Sequence, residues 1–303
     1  MSGEREIVCE DLGLALDDLR SEGFRIDLIY PADDPHTAVV SRERDLVRVT
    51  TRPDAPRPSS ELPPFEPRFV FTPAQGSSAE GRAEMLYREL IPGRLGGRYI
   101  ASHISIPDGG PVSDWVHYHH VALQLIAVVK GWVRVVYEDQ GEPFVMEAGD
   151  LVLQPPGIRH RVLESSAGLE VVEISAPAVH ETLADHQLEL PNGRGDLGQL
   201  WGGQRFLRHI AAEGSEIGLK AATAGLADAR SVRLARGEMI DVPPHGGELV
   251  LGFVTEGSGR VELGDGFDLG RADAFVVPPN EPWSLVAGPQ GLGLLHVTTA
   301  RMG

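Results

Sequence analysis

The stretch Val116-His117-Tyr118-His119-His120, with Gln124 and Gly131 after it, and its sequel Gly149, Pro155-Pro156-Gly157 and His160 decide how this chain reads. In an extended strand, residues two apart face the same side, so His117 and His119 point together. Gln124–Val129 reads as a second strand that runs into a turn at Gly131 and brings Gln124 beside them. His160 follows the Pro-Pro-Gly turn on another strand. Three imidazoles and one amide oxygen converging inside a small barrel suit a borderline divalent ion: Zn, Fe, Ni, Co, Cu or Mn. A three-His set would leave Gln124 as core filler. His120 breaks the alternation and is expected to point away from the metal, while Trp115, Tyr118, Trp132 and Tyr137 read as packing. His180 and His186 lie beyond the last strand of this unit and are expected in solvent.

Moving outward, the same landmarks recur. Gly131-Trp132-Val133-Arg134-Val135 is echoed by Gly257-Ser258-Gly259-Arg260-Val261, and Gly149–Pro156 is echoed by Arg271–Pro279. The two echoes keep nearly the same offset, which marks a tandem repeat. In the second copy His245 falls at the place of His119. Pro243 replaces His117, Val250 replaces Gln124 and Trp283 replaces His160. One imidazole is no site, so the second unit is expected to be metal-free.

Composition supports a turn-rich β protein. The chain has 303 residues, 36 of them Gly and 23 Pro, about one in five, with aromatics at only 6%. A net charge of −17 argues against a nucleic-acid partner. No apolar run approaches the ~20 residues of a bilayer span, and Met1–Glu10 lacks the order of a signal peptide. A single cysteine, Cys9, fits a reducing cytoplasm. Sequence motifs for phosphate-loop, serine-hydrolase and H-E-x-x-H zinc chemistry are missing, and Lys130 and Lys220 are the only lysines for Schiff-base work.

The first fifty residues differ. Asp11–Glu22 reads as a short helix ended by Gly23, then come a strand at Phe24–Tyr30, an acidic turn, and strands at Thr37–Val40 and Asp45–Thr50. This order resembles half of a glyoxalase-type βαβββ module, without that family's metal pair, so no functional residue is carried over. Thr51–Pro67 and Pro191–Gly203 read as linkers. The expected division is 1–60 as a small α+β segment, 61–190 as a metal-binding barrel and 191–303 as a second barrel with its site lost.

The two histidine motifs resemble those of the cupin superfamily, G-x5-H-x-H-x3,4-E-x6-G and G-x5-P-x-G-x2-H-x3-N. His117, His119 and Gly131 fit the first, with Gly110 one residue too far away and Gln124 where the family has Glu. Gly149, Pro155, Gly157 and His160 fit the second, with Glu164 where the family has Asn. The resemblance covers 68–180 closely and 205–300 more distantly. It implies two antiparallel jelly-roll barrels, a bicupin, with His117, His119, Gln124 and His160 as ligands of one divalent metal. A neutral Gln124 leaves the centre at +2, a stronger Lewis acid than one with a carboxylate ligand. The favoured function is proton transfer on a small carbonyl or enol substrate, by an isomerase, cyclase or lyase. A dioxygenase is the alternative and a non-catalytic sensor the third. Glu164, Glu170 and Glu173 are the candidate acid/bases, and Arg134 and Arg161 candidate carboxylate clamps. A homo-oligomer, with a dimer favoured, completes the expectation.

Overall fold

The computed structural model describes residues 5–59, 61–196 and 198–302, apart from the side chain of Glu84. Met1–Glu4, on which part of the N-terminal reading falls, lie outside them. Strands dominate, and no helix among the described residues is long and apolar enough to cross a membrane.

The repeat expected from the sequence is present, with fewer and longer strands in the second copy. In the first barrel the strands are Ile100–Ile106, His117–His119, Leu123–Lys130, Trp132–Tyr137, Phe144–Glu147, Leu151–Leu153, His160–Ser165 and Leu169–Ala176. In the second, Ala227–Leu234, Val250–Glu262, Phe267–Gly270, Ala274–Val276 and Trp283–Thr299 repeat the course, with the two longest strands running unbroken where the first barrel is interrupted. Gly131 adopts φ +76° at one of those interruptions, and a side chain there would collide with Ser166.

Each barrel is completed by the segment that precedes the other. Val70–Thr72, before the first barrel, pairs with Ala274–Val276 of the second, and Leu207–His209, before the second, pairs with Leu151–Leu153 of the first. Apolar residues on both faces of the strands explain the arrangement. Leu123, Leu125, Leu151, Leu153, Val172 and Ile174 face the second barrel and share one core with Leu249, Leu251, Phe253 and Val297. The alternating residues of the same strands look into the first barrel.

The N-terminal module has the expected helix, Leu12–Ser21, capped by Asp11, and strands Arg25–Tyr30, Thr37–Arg42 and Asp45–Thr50. It also has a strand the sequence reading lacked, Arg5–Val8, parallel to Asp45–Thr50. Leu12, Leu16 and Leu19 pack the helix on Val40, Val47 and Val49. The module's sheet does not end there. Arg25–Tyr30 pairs with Thr182–Ala184, which pairs with His117–His119, so the module is one continuous sheet with the strand that carries two of the histidines.

Candidate metal centre

His117 and His119 lie on one face of their strand, while Tyr118 turns outward beneath the Arg159 guanidinium, 4.3 Å from its ring centre. Antiparallel pairing sets His117 directly opposite His160. The three rings are buried with centroids 4.2, 5.1 and 5.3 Å apart. One ring nitrogen of each lies within 4.8 Å of those of the other two. His120, in contrast, is exposed beside Glu181.

The rings are held in one tautomer. Nδ1–H of His117 donates to the Trp115 carbonyl at 2.7 Å, that of His160 to Ile158 at 3.0 Å, and that of His119 to Glu181 at 3.3 Å. This arrangement turns the Nε2 lone pairs towards the cavity, where they can bind a metal once His117 Nε2 gives up the N–H it accepts from Arg82, with the backbone fixing ring orientation. Burial pushes all three imidazoles towards the neutral form, His117 and His119 well below the usual histidine range and His160 to about 4. The neighbouring Arg82 guanidinium acts in the same direction at His117. Neutral, oriented imidazoles are the form a divalent transition metal requires, and the group fits one.

Gln124 lines the same cavity of about 70 Å³. Its amide nitrogen donates to Glu173 at 2.8 Å, which leaves Oε1 as the atom it can offer inward. Glu173 also accepts from the Ser175 hydroxyl at 3.3 Å. The other two expected carboxylates lie elsewhere. Glu170 is on the opposite face of its strand and binds Arg271 of the second barrel, His103 and Lys130. Glu164 pairs across the strands with Arg134 and is not on the cavity wall. Arg134 is exposed outside the barrel, whereas Arg161 lies at the cavity edge.

Two residues were missed. Arg82 reaches the site from an irregular segment before the first barrel. It is ion-paired with Asp114, whose side chain is fully buried and also accepts from the Trp115 and Val162 amides. Its other terminal nitrogen is 3.2 Å from His117 Nε2. His180, expected in solvent, is buried instead, 5.3 Å from the His119 ring, with Nδ1 on the Pro177 carbonyl at 3.0 Å. The apolar run Ala176-Pro177-Ala178-Val179 before it was the available signal, because it carries the chain back under the barrel. His186 is partly exposed beside Asp27, as expected of a surface residue.

The walls are apolar: Ile126, Val135, Met146 and Val171. The Tyr137 hydroxyl accepts from Gln154 Nε2 at 2.8 Å, and its ring stacks on His160.

Residues 102–175 match the family described as Cupin domain. Among solved structures, oxalate decarboxylase from Bacillus subtilis superposes with a TM-score of 0.56 at 13% identity, over 81% of this chain and 80% of that one. A study of the same enzyme concerns its Mn(II) centres. Salicylate 1,2-dioxygenase from Pseudaminobacter salicylatoxidans superposes with a TM-score of 0.50 at 18% identity, over 72% and 77% of the two chains. No curated protein matches the sequence. At such identities the likeness speaks to fold. Residues 102–175 therefore match a cupin domain, and the two barrels together have the fold of a bicupin.

Proposed function

We propose that the first barrel is a metal-dependent enzyme site that moves a proton on a small carbonyl or enol substrate, as an isomerase, cyclase or lyase. The supporting observation is the Gln124–Glu173 hydrogen bond inside the cavity of the three histidines. It pairs a neutral would-be ligand with a carboxylate that is left free to act as a base. His117, His119, His160 and Gln124 would hold the metal. When bound, the ion supplies Lewis acidity towards a carbonyl or enol oxygen.

The chain's own residues do the rest. Glu173 Oε1 accepts from Gln124 and Ser175, so this carboxylate is held in the cavity wall, where it takes a proton from a substrate carbon and returns it. Ile126, Val135, Met146 and Val171 keep bulk water from the anion formed in between. Arg82, anchored by Asp114, puts a positive charge at the same end of the cavity. A cytoplasmic dimer belongs to the same reading.

The test is exchange. Metal-loaded protein under nitrogen should exchange substrate C–H hydrogen with solvent deuterium across a panel of small keto acids and enols. Glu173→Gln should lower that rate about 100-fold or more while metal content stays unchanged. The convergence of three neutral imidazoles also suits a dioxygenase. Oxygen uptake without exchange would favour that reading, and tight ligand binding with neither would favour a sensor.

A further inference from the structure

We infer that the substrate carries an apolar tail, and that the tail lies outside the barrel in a cleft between the N-terminal module and the barrel mouth. The inference rests on the metal-centred reading above. Three observations carry it.

The first is size. The cavity at the histidines is about 70 Å³, room for a small head group, whereas the cleft beside it is about 680 Å³. The second is adjacency. Arg82 lines both spaces and forms the partition between them. Trp115 lines the cleft and sets its ring edge-on to His117, with centroids 5.4 Å apart. Arg82 and Trp115 are thus the residues that a molecule spanning both spaces would pass, with the Arg82 side chain swung aside.

The third is chemistry. The cleft is lined by Leu12, Leu16, Ile26 and Ile29 from the module, with Glu10, Asp11 and Glu80 balanced by Arg20 and Arg82 around them. Apolar side chains between opposite charges accept an uncharged hydrocarbon or aryl group, and a charged one would lose hydration there. The module is also built into the site rather than appended to it. The Arg82 amide donates to the Ala32 carbonyl at 3.0 Å, and Ile29 is the register partner of Thr182, itself the partner of His119. The same elements that form the cleft thus hold Arg82 and the histidine strand in place.

The test uses full-length protein loaded with Co(II), whose visible spectrum reports ligands entering the metal's surroundings. Acetate and octanoate serve as probes with one head group and different tails. Each buried methylene should tighten binding about fourfold, so octanoate is expected to bind at least tenfold more tightly than acetate. Ser113→Trp, a substitution of an exposed residue on the cleft wall, should abolish that advantage and leave acetate affinity and Co(II) content unchanged. Equal affinity for the two acids, or an octanoate preference that survives Ser113→Trp, overturns the tail site. Octanoate that quenches tryptophan fluorescence without altering the Co(II) spectrum overturns it too, because the cleft would then hold a separate ligand. A protein that binds no Co(II) fails at the earlier step and overturns the metal-centred reading itself.

Discussion

The two barrels share a course of strands and differ in what fills them. In the first, Ile126 faces Val152 and Glu173 across neighbouring strands, and His160 closes the ring of imidazoles. In the second, the same register positions hold Gly252, Phe275 and His296, and Trp283 stands where His160 would. Phe275 is fully buried, and its ring lies over Gly252 so closely that a β-carbon there would come within 2.3 Å of it. Trp283 packs edge-on against Phe275, with centroids 5.6 Å apart. One barrel fills its interior with packing, and the other leaves a cavity in which three imidazoles, Gln124 and Glu173 face apolar walls. A hollow barrel is therefore a cost that chemistry must justify, and its filled twin is the control that shows what the fold does without it.

The sharpest break between them is metal. His119→Ala should reduce metal content from about one equivalent per chain to near zero, while His245→Ala leaves it unchanged; metal analysis of the purified variants reads both. If His245→Ala also loses metal, the contrast is wrong. Stability comes next. Trp283→Ala should cost about 3–5 kcal/mol, measured by denaturant unfolding of the metal-free protein, because it empties the filled barrel. Gly252→Ala should cost less, about 1–3 kcal/mol, since the Phe275 ring has to shift. A neutral Gly252→Ala would mean that the second interior is looser than it looks.

The smallest effect is expected at Gln124. Gln124→Glu puts two carboxylates within hydrogen-bond distance of each other, so one of them must hold a proton. Metal content should be kept, and the alkaline limb of the rate profile should move up by on the order of one pH unit. Full activity with an unmoved profile would remove Gln124 from the site.

Much of this was legible in the chain because a strand has a period of two. Once His117 and His119 are placed on a strand, their shared face follows, and the repeat of Gly and Pro-Pro landmarks is enough to find both barrels. The same period could not choose between Glu170 and Glu173 until pairing showed that Leu169, Val171 and Glu173 look inward. Glu170 is out of reach for that reason alone. Arg82 left no trace, since it arrives from an irregular stretch in which Ala83 is held at φ 57° by its surroundings and not by its own preference. Arg5–Val8 is short and mostly exposed, so its alternation is too weak to register. Its place is set by the edge of Asp45–Thr50 it joins.

The exchanged edge strands have a consequence during synthesis. The first of them sits next to Ala74, whose amide bonds Asp273, a residue 199 positions further along the chain. At a typical elongation rate of about 5–20 residues per second, that partner emerges roughly 10–40 seconds later. For that interval, during which all strands of the first barrel are made, Val70–Thr72 is a strand without its partner. The histidine barrel itself waits for Leu207–His209 before the sheet that faces the second barrel has its edge strand. The first barrel has its borrowed edge once residue 209 is made, the second only when Ala274–Val276 reaches the waiting Val70–Thr72, and the ribosome-bound chain has a long period in which that edge is best kept from strangers.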